Sequence, residues 1–200
     1  MRTPISDAMT SPSKPTTPRP IRDQQLLDAL EGLPQRPFRG EVWRSVKAGR
    51  DPVTCWRSGG RWDDKTFDVL YTSLTRKAAI EERRFHLYQG QPIPPSKIDY
   101  ELYEIEVSLE SVVTFSDLDA LGAIGLDTSG YGTASYFEKD QEYPRSQEIA
   151  EACAFLGADG VIAPSARDHN SSNLIVFCEQ DTDISMKVVT NHGIIDWSST

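Results

Sequence analysis

Apolar and polar positions alternate most strictly between Glu101 and Leu109. Tyr103, Ile105, Val107 and Leu109 fall on one side, and Leu102, Glu104 and Glu106 on the other. A period of two is that of a strand with one buried face. "EVWRSV" (41–46) alternates in the same way, with Val42, Arg44 and Val46 facing one side and Trp43 and Ser45 the other. Short apolar runs at Val69–Ser73, Val161–Ala163 and Leu174–Phe177 predict three more strands. Helical spacing is clearest in "RKAAIEERRFHLY" (Arg76–Tyr88). It recurs in a short amphipathic segment from Ile21 to Leu33, with Leu26, Leu27 and Leu30 on one side. "SQEIAEACAFLG" reads as a helix capped by Ser146, with Glu148 in its first turn and Gly157 as its stop. Residues 110–146 are rich in Gly, Ser and Asp and read as loop and short helix, placed to act as a lid. There is no internal repeat. The sum is a mixed α+β chain with several short strands and two or three helices.

Composition narrows this picture. A length of 200 residues suits one domain with a single sizeable core. Residues 1–20 ("TSPSKPTTPRP" within them) carry too little apolar surface to offset ordering entropy and read as a disordered tail. A net charge of −9 disfavours nucleic acid and anionic membranes as partners, but a few arginines can still converge on a small anion. Cys55, Cys153 and Cys178 form no CxxC pair. Their odd, sparse count argues against a disulfide framework and fits a reducing, cytoplasmic setting. His86, His169 and His192 are too scattered for a zinc motif, and "SDLD" and "DTD" lack calcium-loop spacing, so no metal is expected. No apolar run reaches the roughly 20 residues of a membrane span, and the N-terminus has no continuous apolar segment, so a secretory signal is not expected.

A few residues stand where composition alone does not put them. Glu81 and Glu82 are about 100° apart on their helix, so one of them must lie close to buried surface. A carboxylate there needs an arginine or a cleft edge; the plain alternative is a surface pair with Arg83 and Arg84 nearby. Arg44 lies on the Val42/Val46 face of its strand, and an inward guanidinium needs anionic company, either an internal carboxylate or a phosphate. "SGGRWDD" places a permissive Gly59-Gly60 before Arg61 and Trp62; the plain reading is a turn followed by a core tryptophan. Ser165 and Arg167 close a strand beside a polar hinge. No GxSxG elbow surrounds Ser165, and Asp168 and His169 in the same loop do not by themselves make a triad.

Taken together, these blocks resemble the RES domain family, named for its Arg, Glu and Ser. In the family's order they are "VWR" with Arg44, "GGRW" with Arg61, "VLYTS" with Tyr71, "AAIEERRFHL" with Glu82, "SQEIAEACAFLGADGVIAPSAR" with Ser165, and "NLIVF" with Asn173. They cover about residues 38–180, within a domain taken as 21–200. Ala79 and Leu87 place the family glutamate at Glu82, with Glu81 as the fallback. Many members have Asn after GRW, where this chain has Asp63.

The resemblance implies an ADP-ribosyltransferase-like α+β fold, a compact domain with a split β-sheet, flanking helices and a cleft for NAD. It implies a toxin of a bacterial toxin–antitoxin pair that consumes NAD by hydrolysis or phosphorolysis, or transfers ADP-ribose to a protein acceptor. Its partner would be an Xre-type antitoxin that blocks the cleft. A catalytically silent binding module on the same fold is the competing reading. On the enzyme reading, Glu82 steadies the ribosyl cation, Arg44 and Arg61 grip the pyrophosphate, Tyr71 stacks on nicotinamide and Ser165 hydrogen-bonds the substrate. Arg167 either braces its loop or joins the site, and Asn173 is expected to hold its turn.

Overall fold

The computed structural model describes residues 21–88, 98–133, 139–178 and 184–197. The expectation of a disordered tail at 1–20 falls outside them. In chain order the elements are α1 (Gln24–Glu31), β1 (Gln35–Lys47), β2 (Val69–Ser73), α2 (Arg76–Tyr88), β3 (Tyr100–Thr114), α3 (Leu118–Ala123), α4 (Lys139–Phe155), β4 (Gly160–Pro164), β5 (Ser172–Phe177) and β6 (Ser185–Ile194). The spans of β2 and α2 are those read from the sequence.

The strands pair in the order β1-β2-β5-β4-β3-β6, and β3 also pairs with β1, so five strands close on themselves and β6 adds an edge. All pairings are antiparallel except β3 with β4. β3 is long enough to serve several neighbours: its whole length faces β1, its first part β6 and its last residues β4. The alternation seen in the sequence now has a cause. Ile105, Val107 and Leu109 pack with Val42, Val46, Leu70, Leu174 and Val176 in one core. Leu102, from the opposite face, packs with Ala79 and Ile80 of α2. The other faces of β2, β4 and β5 (Val69, Val161, Ile175 and Phe177) pack against Leu26 and Leu30 of α1, Leu121 near α3's end, and Ile149 and Cys153 of α4. Full burial of each such Leu, Ile or Val contributes about 1.5–3 kcal/mol.

Three readings need correction. Ser146 does not cap a helix, because α4 begins at Lys139 and continues through Pro144; the Ser146 hydroxyl instead donates to the carbonyls of Tyr143 and Arg61. Cys55 and Cys178 form a disulfide that ties the segment before β2 to the end of β5. The cysteine count therefore no longer argues for a reducing compartment. Residues 110–114, read as loop, finish β3; among the described residues beyond them α3 is a short helix as expected, and from Lys139 the segment belongs to α4. β6, where the sequence reading assigned nothing, is an exposed edge strand whose residues alternate poorly. Among the described residues no helix is long and apolar enough to cross a membrane.

Candidate functional site

β1 and β2 pair at a single position, Trp43 with Ser73. Where they part, a cleft of about 580 Å³ opens, lined by residues 43–45 of β1 and 71–73 of β2. That volume lies in the range of small-molecule sites. α2 forms one wall with Glu82, Arg83 and His86; the 58–62 loop and the 166–167 turn form the others.

Glu82 faces this cleft, whereas Glu81 pairs with Arg84 at 2.9 Å and does not line it. Glu82 is partly buried. Its Oε1 accepts a hydrogen bond from Asn173 Nδ2 at 3.2 Å, and its Oε2 lies 3.9 Å from Arg167 Nε. Burial holds its carboxyl above the usual range, opposed by the Arg167 charge, the Asn173 hydrogen bond and the Arg61 and Arg83 charges. Asn173 is itself fixed, its Oδ1 accepting from the Ser73 hydroxyl at 2.9 Å. His86, one turn along, is held below its ordinary range by desolvation and by the Arg83 and Arg167 charges.

Four arginines line the same cleft. Arg44 Nη1 donates to the carbonyls of Pro52 and Thr54, at 2.6 and 3.1 Å. Burial, and then the Arg83 charge, bring its pKa down to about 10, so it remains a cation at neutral pH. Arg83 donates to the Ser45 carbonyl at 2.7 Å and lies over the Tyr100 ring. Arg167 donates to the Gly132 carbonyl and lies over the Phe85 ring. Arg61 is buried between the rings of Tyr131 and Tyr143, at 4.4 and 5.0 Å.

The 58–64 loop is built around Asp63, which is fully buried. Its carboxylate accepts from the N–H groups of Gly59, Gly60 and Lys65 and from the hydroxyls of Ser58 and Tyr71. The Tyr71 hydroxyl also accepts from Trp62 N, so this side chain spans cleft wall and loop. Burial, and secondly the Asp63 charge, push its phenol well above its ordinary range. Gly60 cannot be larger, since a Cβ there would lie 2.7 Å from the Tyr71 hydroxyl. From α4, Gln147 Nε2 donates to the carbonyls of Gly60 and Asp63 and Ser146 donates to that of Arg61. Trp62 goes into the core against Phe115, as the plain reading expected.

Ser165 is 2 % exposed and does not line the cleft. Its Oγ accepts from the N–H groups of Arg167 and Asp168, which closes the turn that presents Arg167. That turn is met by Tyr131, whose hydroxyl donates to the Pro164 carbonyl, and by Gly132. Gly132 has φ +82°, and a Cβ on it would lie 2.5 Å from the Ala166 carbonyl oxygen. So Arg44, Arg61, Tyr71, Glu82 and Arg167 meet at one cleft, Asn173 holds Glu82, and Ser165 stands behind them. Sequence reasoning had no role for Arg83, Ser45, Gln147, Tyr131 or Tyr143. The tyrosines carried a faint signal, as aromatics inside a polar lid segment. Among the described residues there is no group of metal-ligating side chains.

The fold has a solved counterpart. The chain is similar to one in the crystal structure of the M. tuberculosis MbcT–MbcA toxin–antitoxin complex, with a TM-score of 0.67 and 19% sequence identity over 86% of this chain and 92% of that one. A comparison with curated proteins finds no match. The RES domain family model matches residues 21–198, from before α1 to beyond β6, and the chain belongs to the RES domain family.

Proposed function

We propose that this protein is the toxin of a toxin–antitoxin pair and acts by cleaving the nicotinamide–ribose bond of NAD. The observation that carries the reading is one partly buried carboxylate, Glu82, set in a cleft with four arginines and an aromatic wall. NAD is a pyrophosphate with a cationic leaving group at one end, and this arrangement offers opposite charges to its two parts. In the reaction the C1′–N1 bond breaks and its electron pair returns to the pyridine ring, so nicotinamide leaves neutral. Positive charge then appears on the ribose, and the ionised Glu82 steadies it. An acceptor oxygen bonds to C1′ and gives up its proton.

Asn173 and Arg167 keep Glu82 in place and favour its ionised form against burial. Arg44 and Arg61 grip the pyrophosphate, and Tyr71 presents its ring to the substrate from the cleft wall. Ser165 works through the turn that carries Arg167, within a buried position that leaves its hydroxyl committed to two backbone N–H groups. Membership of the RES family and the fold shared with a chain of a toxin–antitoxin complex support a protein antitoxin as partner. On this reading the antitoxin, of Xre type, covers the cleft.

The test is incubation of the full chain with NAD. Release of nicotinamide with free ADP-ribose, or with its phosphate when inorganic phosphate is added, is the expected result. Label retained on a protein would instead mark an ADP-ribosyltransferase. Glu82→Gln should lower the rate by about 10²–10³ and relieve any growth arrest on expression. Wild-type protein that releases no nicotinamide and arrests no growth would leave only a binding module.

A further inference from the structure

The arginines of the cleft are not equivalent. Arg167 has the Glu82 carboxylate beside it and Arg61 lies between tyrosine rings. Arg44 and Arg83 are oriented by backbone carbonyls, of Pro52, Thr54 and Ser45. A carbonyl fixes a guanidinium without neutralising it. The Arg83 charge adds to burial in depressing Arg44, both residues are partly buried, and among the described residues neither forms an ion pair, although the Asp51 charge acts on Arg44 and the Glu82 charge on Arg83. Two like charges held together in a desolvated place are unfavourable until an anion arrives.

Two buried atoms on residues of this cleft that are joined by the Arg83–Ser45 hydrogen bond lack partners among the described residues. Ser45 Oγ, on a residue 5 % exposed, has no hydrogen-bond partner among the described residues. Arg83 Nε is likewise buried and unpartnered. Buried polar atoms in a native protein are nearly always paired, so these two are open to an acceptor from outside the chain. The donors available there, a hydroxyl and the Nε–H of a guanidinium, both suit an acceptor with several oxygens.

We propose that Ser45 and Arg83 form an oxyanion subsite that takes a phosphate group, and that Arg83 is a substrate-binding residue rather than a brace alone. The inference rests on the NAD reading of the cleft for the identity of the phosphate, but not for the existence of the subsite. Two sources share the chemistry: the dinucleotide's own pyrophosphate, and a separate inorganic phosphate.

Calorimetry of the full chain with ADP-ribose and with sodium orthophosphate separates them. Ser45→Ala and Arg83→Gln should each weaken binding by about tenfold or more, the scale of a hydrogen bond to a charged group. Loss of affinity for ADP-ribose assigns the subsite to the dinucleotide, and loss for orthophosphate alone assigns it to a second anion. Ser45→Ala keeps the backbone carbonyl that braces Arg83 and removes an unsatisfied hydroxyl, so its melting temperature without ligand should be unchanged or higher. A Ser45→Ala protein that binds both anions as the wild type does overturns the subsite, whatever Arg83→Gln does, because the latter also loses the brace to β1. If the wild type cleaves NAD and Ser45→Ala behaves in this way, only the subsite fails. If phosphate binding depends on Ser45 and Arg83 but no nicotinamide is released, the subsite stands and the proposed reaction fails.

Discussion

Two carboxylates flank the cleft, and the protein treats them in opposite ways. Asp63, at the core of the 58–64 loop, takes hydrogen bonds from three backbone N–H groups and two hydroxyls. Glu82, on α2, takes one among the described residues, from Asn173. Asp63 has its hydration replaced by fixed protein dipoles and is closed off; it organises the backbone around Gly59 and Gly60. Glu82 has lost part of its hydration and been given little in return, and this is why its carboxyl is held above the usual range. A charge left under-satisfied beside an open cleft is the one able to interact strongly with a positive charge that forms there.

The comparison can be broken most severely at Asp63. Asp63→Ala strands the donors that converge on it, and each buried orphan costs about 1–3 kcal/mol. We expect a loss of at least about 3 kcal/mol, or roughly 6–12 °C in melting temperature, in thermal unfolding followed by circular dichroism. A melt within about 2 °C of wild type would mean that the loop does not depend on this carboxylate.

Asn173 sharpens the other side. Asn173→Ala removes the only side-chain hydrogen bond to Glu82 recorded among the described residues, and should lower NAD cleavage about tenfold. A purely structural residue would change the rate at all pH values alike. A positioning residue also changes the pH profile: without this donor the carboxyl moves further up, so the acidic limb of activity shifts to higher pH. Arg167, Arg61 and Arg83 remain to favour ionisation, so the limb is displaced and not abolished. Identical limbs in wild type and variant would remove Asn173 from this role.

A smaller effect of opposite sign is expected in stability. A carboxyl with a raised folded-state pKa keeps a proton that the unfolded chain has already lost. Stability therefore falls as pH rises from the ordinary carboxylate range through the raised value, and stays lower above it. Glu82→Gln removes that penalty. Its melting temperature at pH 7 should exceed that of wild type by a few degrees, with the gain vanishing below pH about 4. A destabilised Glu82→Gln protein at pH 7 would show that the glutamate contributes to the fold.

What the sequence exposed and what it hid follow from the kind of contact involved. Side-chain periodicity gave away β2, α2 and the two faces of β3, because burial acts on side chains at fixed spacing. It also brought Arg44 and Glu82 under suspicion, as charges standing on or beside apolar faces. Contacts through the backbone left no trace. Arg44, Arg83 and Arg167 are aimed by carbonyls of Thr54, Ser45 and Gly132, and every residue has a carbonyl. Ser146 offered a plausible cap, but a helix that runs through Pro144 makes it an interior residue gripping the Arg61 carbonyl. The Cys55–Cys178 bond joins positions 123 residues apart, and no spacing rule reaches that far. β6 hid because an edge strand with both faces largely wet has no apolar side to reveal it.

The least change is expected next door to the most important residue. Glu81 and Glu82 are adjacent and of one type, so a substitution that acted only through the total charge of α2 would act alike at either. Their surroundings differ by about 100° of helix rotation. Glu81 forms an (i, i+3) pair with Arg84 at a partly exposed position and does not reach the cleft. Such pairs are worth about 0.2–0.5 kcal/mol. Glu81→Gln should therefore melt within about 2 °C of wild type and keep its rate of NAD cleavage within about twofold. A loss at Glu81 comparable to that at Glu82 would mean that helix α2 is turned by one residue from the orientation described, and the assignment of the carboxylate would pass to Glu81.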